Sequence, residues 1–238
     1  MNYQRYFKPG QQLLLKALHD TEQNGRTELM SVFIVALEAD YLLLSLPYGK
    51  GAVDQYPFKE GLLFEVTTES LGVGIRTSGH FKQKLTEDQF TLQLSSDLQV
   101  FQRRITQRFD CKLGIRFSRA GNTLQAMREV WERNIEVLHS SEAPLIFKGF
   151  KSSQVNLSAG GIRFSIKPPC NQGDLGLVLV NLEDGNPPVC AVAEVVWIFV
   201  KDKSAVSAGM RFINILSEDQ QRIENYIAKS KRAESSSP

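Results

Sequence analysis

Short apolar runs separated by turn residues dominate the first hundred positions. Met30 to Leu37 is apolar and rich in Val and Ile, and Glu38-Ala39-Asp40 follows as a turn signal. Tyr41 to Leu46 forms a second run, stopped by Pro47 and Gly49. Gly61 to Val66 forms a third, and Phe90-Thr91-Leu92-Gln93-Leu94 alternates with the two-residue period of a half-buried strand. Strands at this spacing, with no long helical pattern between them, predict a small barrel or sandwich over residues 11–97. Ser95-Ser96-Asp97 reads as a turn, which places a domain boundary near residue 98.

Beyond the boundary the alternation resumes. Cys111, Leu113, Ile115 and Phe117 share one face, with Lys112, Gly114 and Arg116 on the other. Gly161 to Ile166 alternates in the same way, and Leu175–Leu182, Cys190–Val200 and Ala208–Ile215 supply further strands. A closed antiparallel barrel would leave none of their edges exposed. Two helical patterns interrupt the strands. Leu124, Met127, Trp131, Ile135 and Leu138 make an amphipathic stripe within residues 121–139. Packing on the chain's own barrel is the reading we favour for it; the alternative is a dimer or partner surface anchored by Trp131. The second helix follows Ser217. Ser217-Glu218-Asp219-Gln220 fits a capping box, Ile223, Tyr226 and Ile227 form its apolar face, and Lys229, Lys231 and Arg232 suit its negative dipole end. Residues 233–238 are small and polar and read as a disordered tail. The expected fold is therefore mainly β: two small antiparallel barrels with an inserted amphipathic helix and a C-terminal helix.

Composition narrows the function. The 238 residues suit two domains, and 42% hydrophobic content is enough for two cores. A net charge of only +2 argues against a nucleic-acid polymer as partner, because such binders usually present a basic face. The basic signal is instead local, with three arginines and no acid in residues 102–108. Cys111, Cys170 and Cys190 are scattered and fit neither a zinc site nor a disulfide framework. No signal-peptide core or membrane-length apolar run is present. The expectation is a reduced, cytoplasmic protein without membrane insertion. His19, His80 and His139 lie far apart in unlike contexts and form no recognisable catalytic set, so no enzyme is expected. Gly72-Val73-Gly74 is too short for a dinucleotide fingerprint.

The chemistry concentrates in two motifs. Arg104 and Arg108 form R-x-x-x-R, with Arg103 just before; Asn156, Ser158 and Gly161 form N-x-S-x-x-G. A guanidinium fork matches phosphate oxygens, pairs with the adjacent O6 and N7 acceptors of guanine, and stacks on a base. Asn156 brings an acceptor and two donors, Ser158 a rotatable hydroxyl. Gly160-Gly161 allows a sharp turn or a close approach to the backbone.

With these motifs in this order, residues 102–231 resemble a PilZ domain. The likeness extends to Val195-Val196-Trp197, to Gly209-Met210-Arg211-Phe212 and to the terminal helix. The resemblance implies cyclic di-GMP as ligand and no other cofactor. It implies that Arg104 and Arg108 clamp phosphate and guanine, that Asn156 and Ser158 contact the base, and that Gly161 keeps the turn open. Arg103 corresponds to an extra arginine that helps bind a stacked ligand dimer in some members. Asn156 stands where many members carry aspartate, and residues 121–139 are longer than the usual hairpin. The N-terminal part resembles the split-barrel domain of flagellar brake proteins through Pro9-Gly10-Gln11, the Leu42–Pro47 strand and the Gly61 strand. The implied organisation is a split barrel over residues 1–97, a linker over 98–103 and a PilZ domain over 104–238. The implied role is a receptor that changes domain pose or surface on binding and signals to a protein partner such as the flagellar motor. A ligand-free PilZ-like interaction module is the main alternative, and a flavin-binding split barrel a lesser one.

Overall fold

The computed structural model describes residues 3–18, 25–49, 51–53, 56–70, 72–102, 107–119, 123–140, 149–200 and 206–235. The chain divides into two compact units, residues 1–105 with 123–125, and residues 106–122 with 126–238.

The first unit follows a 3-10 turn at Tyr3–Arg5 and contains β1 (Gln12–Ala17), β2 (Arg26–Glu38), β3 (Tyr41–Ser45), β4 (Leu63–Ser70), β5 (Val73–Lys84), β6 (Gln89–Leu94) and β7 (Gln99–Phe101). Antiparallel pairings run β1–β4–β5–β6–β3–β2 and return to β1, so six strands close into a barrel. Within the segment read as a linker, Gln99–Phe101 add β7 to β5. Closure follows from alternation: Leu13, Leu15 and Ala17 of β1 point inward with Met30, Val32, Leu42, Leu44, Phe64, Ile75, Phe90 and Leu92. Phe58 bridges this interior, with its ring centroid 4.8 Å from those of Phe81 and Phe90.

The second unit contains β8 (Phe109–Ser118), α1 (Leu124–His139) from Ala126 onward, β9 (Lys151–Ser158), β10 (Gly161–Ile166), β11 (Leu175–Asn181), β12 (Val189–Val200), β13 (Val206–Leu216) and α2 (Ser217–Ser235). Its pairings also form a ring, β8–β9–β10–β13–β12–β11 and back to β8. Leu113, Ile115, Val155, Leu157, Ile162, Phe164, Val178, Ala191, Met210 and Phe212 fill it, and Ile223 and Ile227 of α2 join the same core. Trp131 of α1 is buried, and its indole N–H donates to the Cys190 carbonyl at 2.9 Å. That contact places α1 against the outer wall of its own barrel and takes Trp131 out of any partner surface. One expectation needs correction: α2 stays helical to Ser235, so residues 233–235 are not a disordered tail.

Candidate functional site

The hairpin from β9 to β10 sets the geometry. Val155 and Leu157 face the core, so Gln154 and Asn156 face outward. The second motif is therefore more than a turn. Asn156 and Ser158 sit on β9 itself, and Ala159-Gly160 alone makes the reversal. The turn register then puts Arg163 of β10 directly opposite Asn156. On the other side of β9, Asp110 of β8 is also opposite Asn156. Asp110, Asn156 and Arg163 thus form one row across three strands. The row continues to Gly209 of β13, which pairs with Arg163, and to Trp197 of β12, which pairs with Gly209.

Gly209 explains how Trp197 fits this row. A Cβ at 209 would lie 2.1 Å from the Trp197 Nε1, so the indole lies over the glycine and any side chain there would displace it. The ring remains partly exposed. A neighbouring row holds Ser165, Ser207 and Phe199, again paired strand to strand. Together with Gln154, Val155, Phe164 and Ile198, the two rows line a concavity of about 580 Å³. This lies within the roughly 300–1,000 Å³ of small-molecule sites. A flat aromatic ring, a guanidinium, an amide and a carboxylate on one rigid sheet can stack on a base and address its polar edge.

Electrostatics link the row. The Arg163 Nη2 donates to Asp110 Oδ1 at 2.9 Å, reaching over Asn156 between them. Both side chains are well exposed, and such a pair contributes at most about 1 kcal/mol.

The remaining predicted residues are placed differently. Ser158 is buried, and its hydroxyl donates to the Gly161 carbonyl at 3.2 Å. Gly161 does not hold a turn open: a Cβ there would lie 2.2 Å from the Met210 carbonyl oxygen, so the glycine lets β10 press against β13. Arg108 is exposed one residue before β8. Arg103 and Arg104 lie outside the described residues. The structure therefore brings Asn156, Ser158 and Gly161 onto one hairpin and sets Arg108 at the start of the strand beside it. The helix α2 touches both motif segments. Its Gln220 Nε2 donates to the Ala159 carbonyl at 3.1 Å, and its Lys231 Nζ donates to Gln107 Oε1 at 3.2 Å.

Asp110, Arg163, Trp197, Gln154 and Phe199 were missed as site residues. Alternation within Phe109-Asp110-Cys111 and Gly161-Ile162-Arg163 would have put Asp110 and Arg163 outward, and counting back from the turn would have paired Arg163 with Asn156. The β8–β9 register had no such signal, because α1 separates the two strands. No group of side chains among the described residues could hold a metal ion. No helix among them is long and apolar enough to cross a membrane.

Comparison with known proteins gives two family matches. Residues 102–229 match the PilZ domain, and residues 6–102 match the N-terminal PilZ-like domain PilZN1. No curated protein sequence matches the chain. Among solved structures, the Bacillus subtilis inhibitor of motility MotI/DgrA is 17% identical, with 95% of this chain and 99% of that chain covered and a TM-score of 0.39. Escherichia coli YcgR in complex with c-di-GMP is 14% identical, with 94% and 85% covered and a TM-score of 0.36. A family assignment rests on the two sequence matches, which together span residues 6–229.

Proposed function

The chain belongs to the PilZ domain family, and from that premise we propose that it is a cyclic di-GMP receptor that binds without turnover. The observation that carries this reading is the outward row of Asn156, Arg163 and Trp197 at the mouth of the 580 Å³ concavity. One guanine can stack on the indole while its polar edge meets the amide and the guanidinium. The arginine segment ahead of β8 supplies the charge for the phosphates, with Arg108 at the strand and Arg103 and Arg104 before it. Asn156, Ser158 and Gly161 complete the assignment, Asn156 by contact and the other two by shaping the hairpin.

Binding then alters the surface around the row, or the pose of the two barrels, and a protein partner reads the change. The flagellar motor is the partner to test first, given the likeness of the N-terminal barrel to flagellar brake domains. Isothermal titration calorimetry with cyclic di-GMP tests the reading directly. Saturable heat with no linear dinucleotide formed on long incubation supports it. Absence of heat would leave a ligand-free interaction module as the better description.

A further inference from the structure

Resting on the cyclic di-GMP reading above, we propose that Asp110 is the carboxylate that reads the guanine N1–H and 2-amino donors, with Asn156 as its neutral companion. The argument starts from what guanine presents. Its Watson–Crick edge offers the N1 and N2 donors beside the O6 acceptor, and its other edge offers O6 and N7. Donors are best met by an ionised carboxylate, since a charge-assisted hydrogen bond is about twice as strong as a neutral one. Asn156 has only an amide oxygen to offer. Among the residues lining the concavity, Asp110 is the one carboxylate.

Three features suit Asp110 to the task. It is directly opposite Asn156 in the β8–β9 register, so the two side chains leave the same face side by side. Its side chain is 73% exposed, so a ligand can reach it. Only Oδ1 is engaged, by Arg163, and among the described residues Oδ2 has no partner. Arg163 contributes twice. In the free protein it orients the carboxylate from two strands away. Because exposed ion pairs are weak, it can also turn outward at little cost and meet O6 and N7. Carboxylate, amide and guanidinium in one row then match the donors and acceptors of one guanine. Adenine, with an acceptor at N1 and no 2-amino group, would set Asp110 against a lone pair.

Calorimetry on the full chain tests this with three proteins and two ligands. Wild type should bind cyclic di-GMP, and Asp110→Asn should weaken binding by about ten- to a hundredfold, the range of one charge-assisted hydrogen bond. Adding Asn156→Asp to Asp110→Asn moves the carboxylate one strand over and should restore affinity to within about threefold of wild type, an order-of-magnitude figure on the same scale. With the inosine analogue, which lacks the 2-amino group, the loss caused by Asp110→Asn should shrink. Unchanged melting temperatures would show that the fold is not what the substitutions alter. If Asp110→Asn bound like wild type, the assignment would be wrong while the cyclic di-GMP reading stood. If the double variant stayed as weak as the single one, Asp110 would act only by positioning Arg163, and the acceptor role would be overturned. Silence of the wild type would overturn this inference together with the function it rests on.

Discussion

Arg108 is exposed just ahead of β8, where nothing in the barrel interior needs it. Ser158 is buried, with its hydroxyl committed to the Gly161 carbonyl. The two substitutions should therefore separate cleanly. Arg108→Ala should weaken cyclic di-GMP binding by about 1.5–3 kcal/mol, one to two decades in affinity, with no change in melting temperature. Ser158→Ala should do the reverse in the free protein, losing a neutral bond of about 0.5–1.5 kcal/mol and lowering the melting temperature by roughly 2–4 °C for a chain of this size. Its effect on affinity should be the smaller of the two. Calorimetry and thermal denaturation on the same preparations would check both, and an Arg108→Ala protein that bound like wild type would remove Arg108 from the site. At this scale the sequence was legible where chemistry is local. The amide, the hydroxyl and the glycines could be named from one short string. That Ser158 turns its hydroxyl to the backbone, and that Gly161 is small for Met210 on another strand, could not be read. The first depends on how the hairpin turns between Ser158 and Gly161, the second on a neighbour nearly fifty residues further along the chain.

At the scale of elements, the end of β6 shows how a turn is fixed. Asp97 accepts from the Thr77 hydroxyl at 2.7 Å, from the Ser78 amide at 3.0 Å and from the Ser78 hydroxyl at 2.6 Å. Burial alone would push its carboxyl up, but the Ser78 and Thr77 donors outweigh that and hold it below the usual value. The sign follows from linkage. A depressed folded pKa means the unfolded chain binds protons more readily, so this stabilisation is complete above the unfolded value of about 3.9 and is lost as pH falls through the folded one. Asp184 adds in the same direction: burial raises it, but the Arg222 guanidinium lowers it further. Asp219 opposes them, because burial outweighs Arg222 and raises its carboxyl; its contribution is present at low pH and is lost as pH rises. Asp97→Asn should therefore lower the melting temperature at neutral pH and flatten its decline below about pH 5. Circular dichroism melts over a pH series would measure this, and an acid limb unchanged from wild type would contradict it. Most elements rich in Val, Ile and Leu were visible in the sequence, although β1 with Leu13-Leu14-Leu15 was not singled out. β9 was not, because Lys151-Ser152-Ser153-Gln154 gives no apolar alternation until Val155. β5 was hidden because Thr77 and Gly79 take two of its inward positions, between Ile75 and Phe81, while Arg76, His80 and Lys84 lie exposed along it. The capping residues and apolar face of α2 were legible, yet Gln220 also reaches out of the helix to Ala159, a contact no local pattern announces.

For the whole molecule, the barrel class could be inferred from strand spacing, but not the order of strands. The first ring depends on β1–β4 and β3–β6 and the second on β8–β11 and β10–β13, all pairings between strands that are not consecutive in sequence. The two family matches meet at residue 102, and the arginine segment begins there. A ligand held by Arg103, Arg104 and Arg108 would therefore contact the chain where the two matched regions meet. A ligand shifts a conformational equilibrium only by its differential affinity for the two states. Moving such an equilibrium from one extreme to the other takes about 5.5 kcal/mol of difference, whereas a tenfold preference moves it only part of the way. The arginine contacts estimated above supply differences of that order only if they form in one pose and not in the other. Arg103 is the residue to test for this, since it lies nearest the junction. Small-angle X-ray scattering of the free and saturated protein should show a shift in the distance distribution, and Arg103→Ala should reduce that shift more than it reduces affinity. Superimposable profiles at full calorimetric occupancy would exclude a substantial change of pose. The signal would then lie in the surface that the ligand itself completes over Asn156, Arg163 and Trp197.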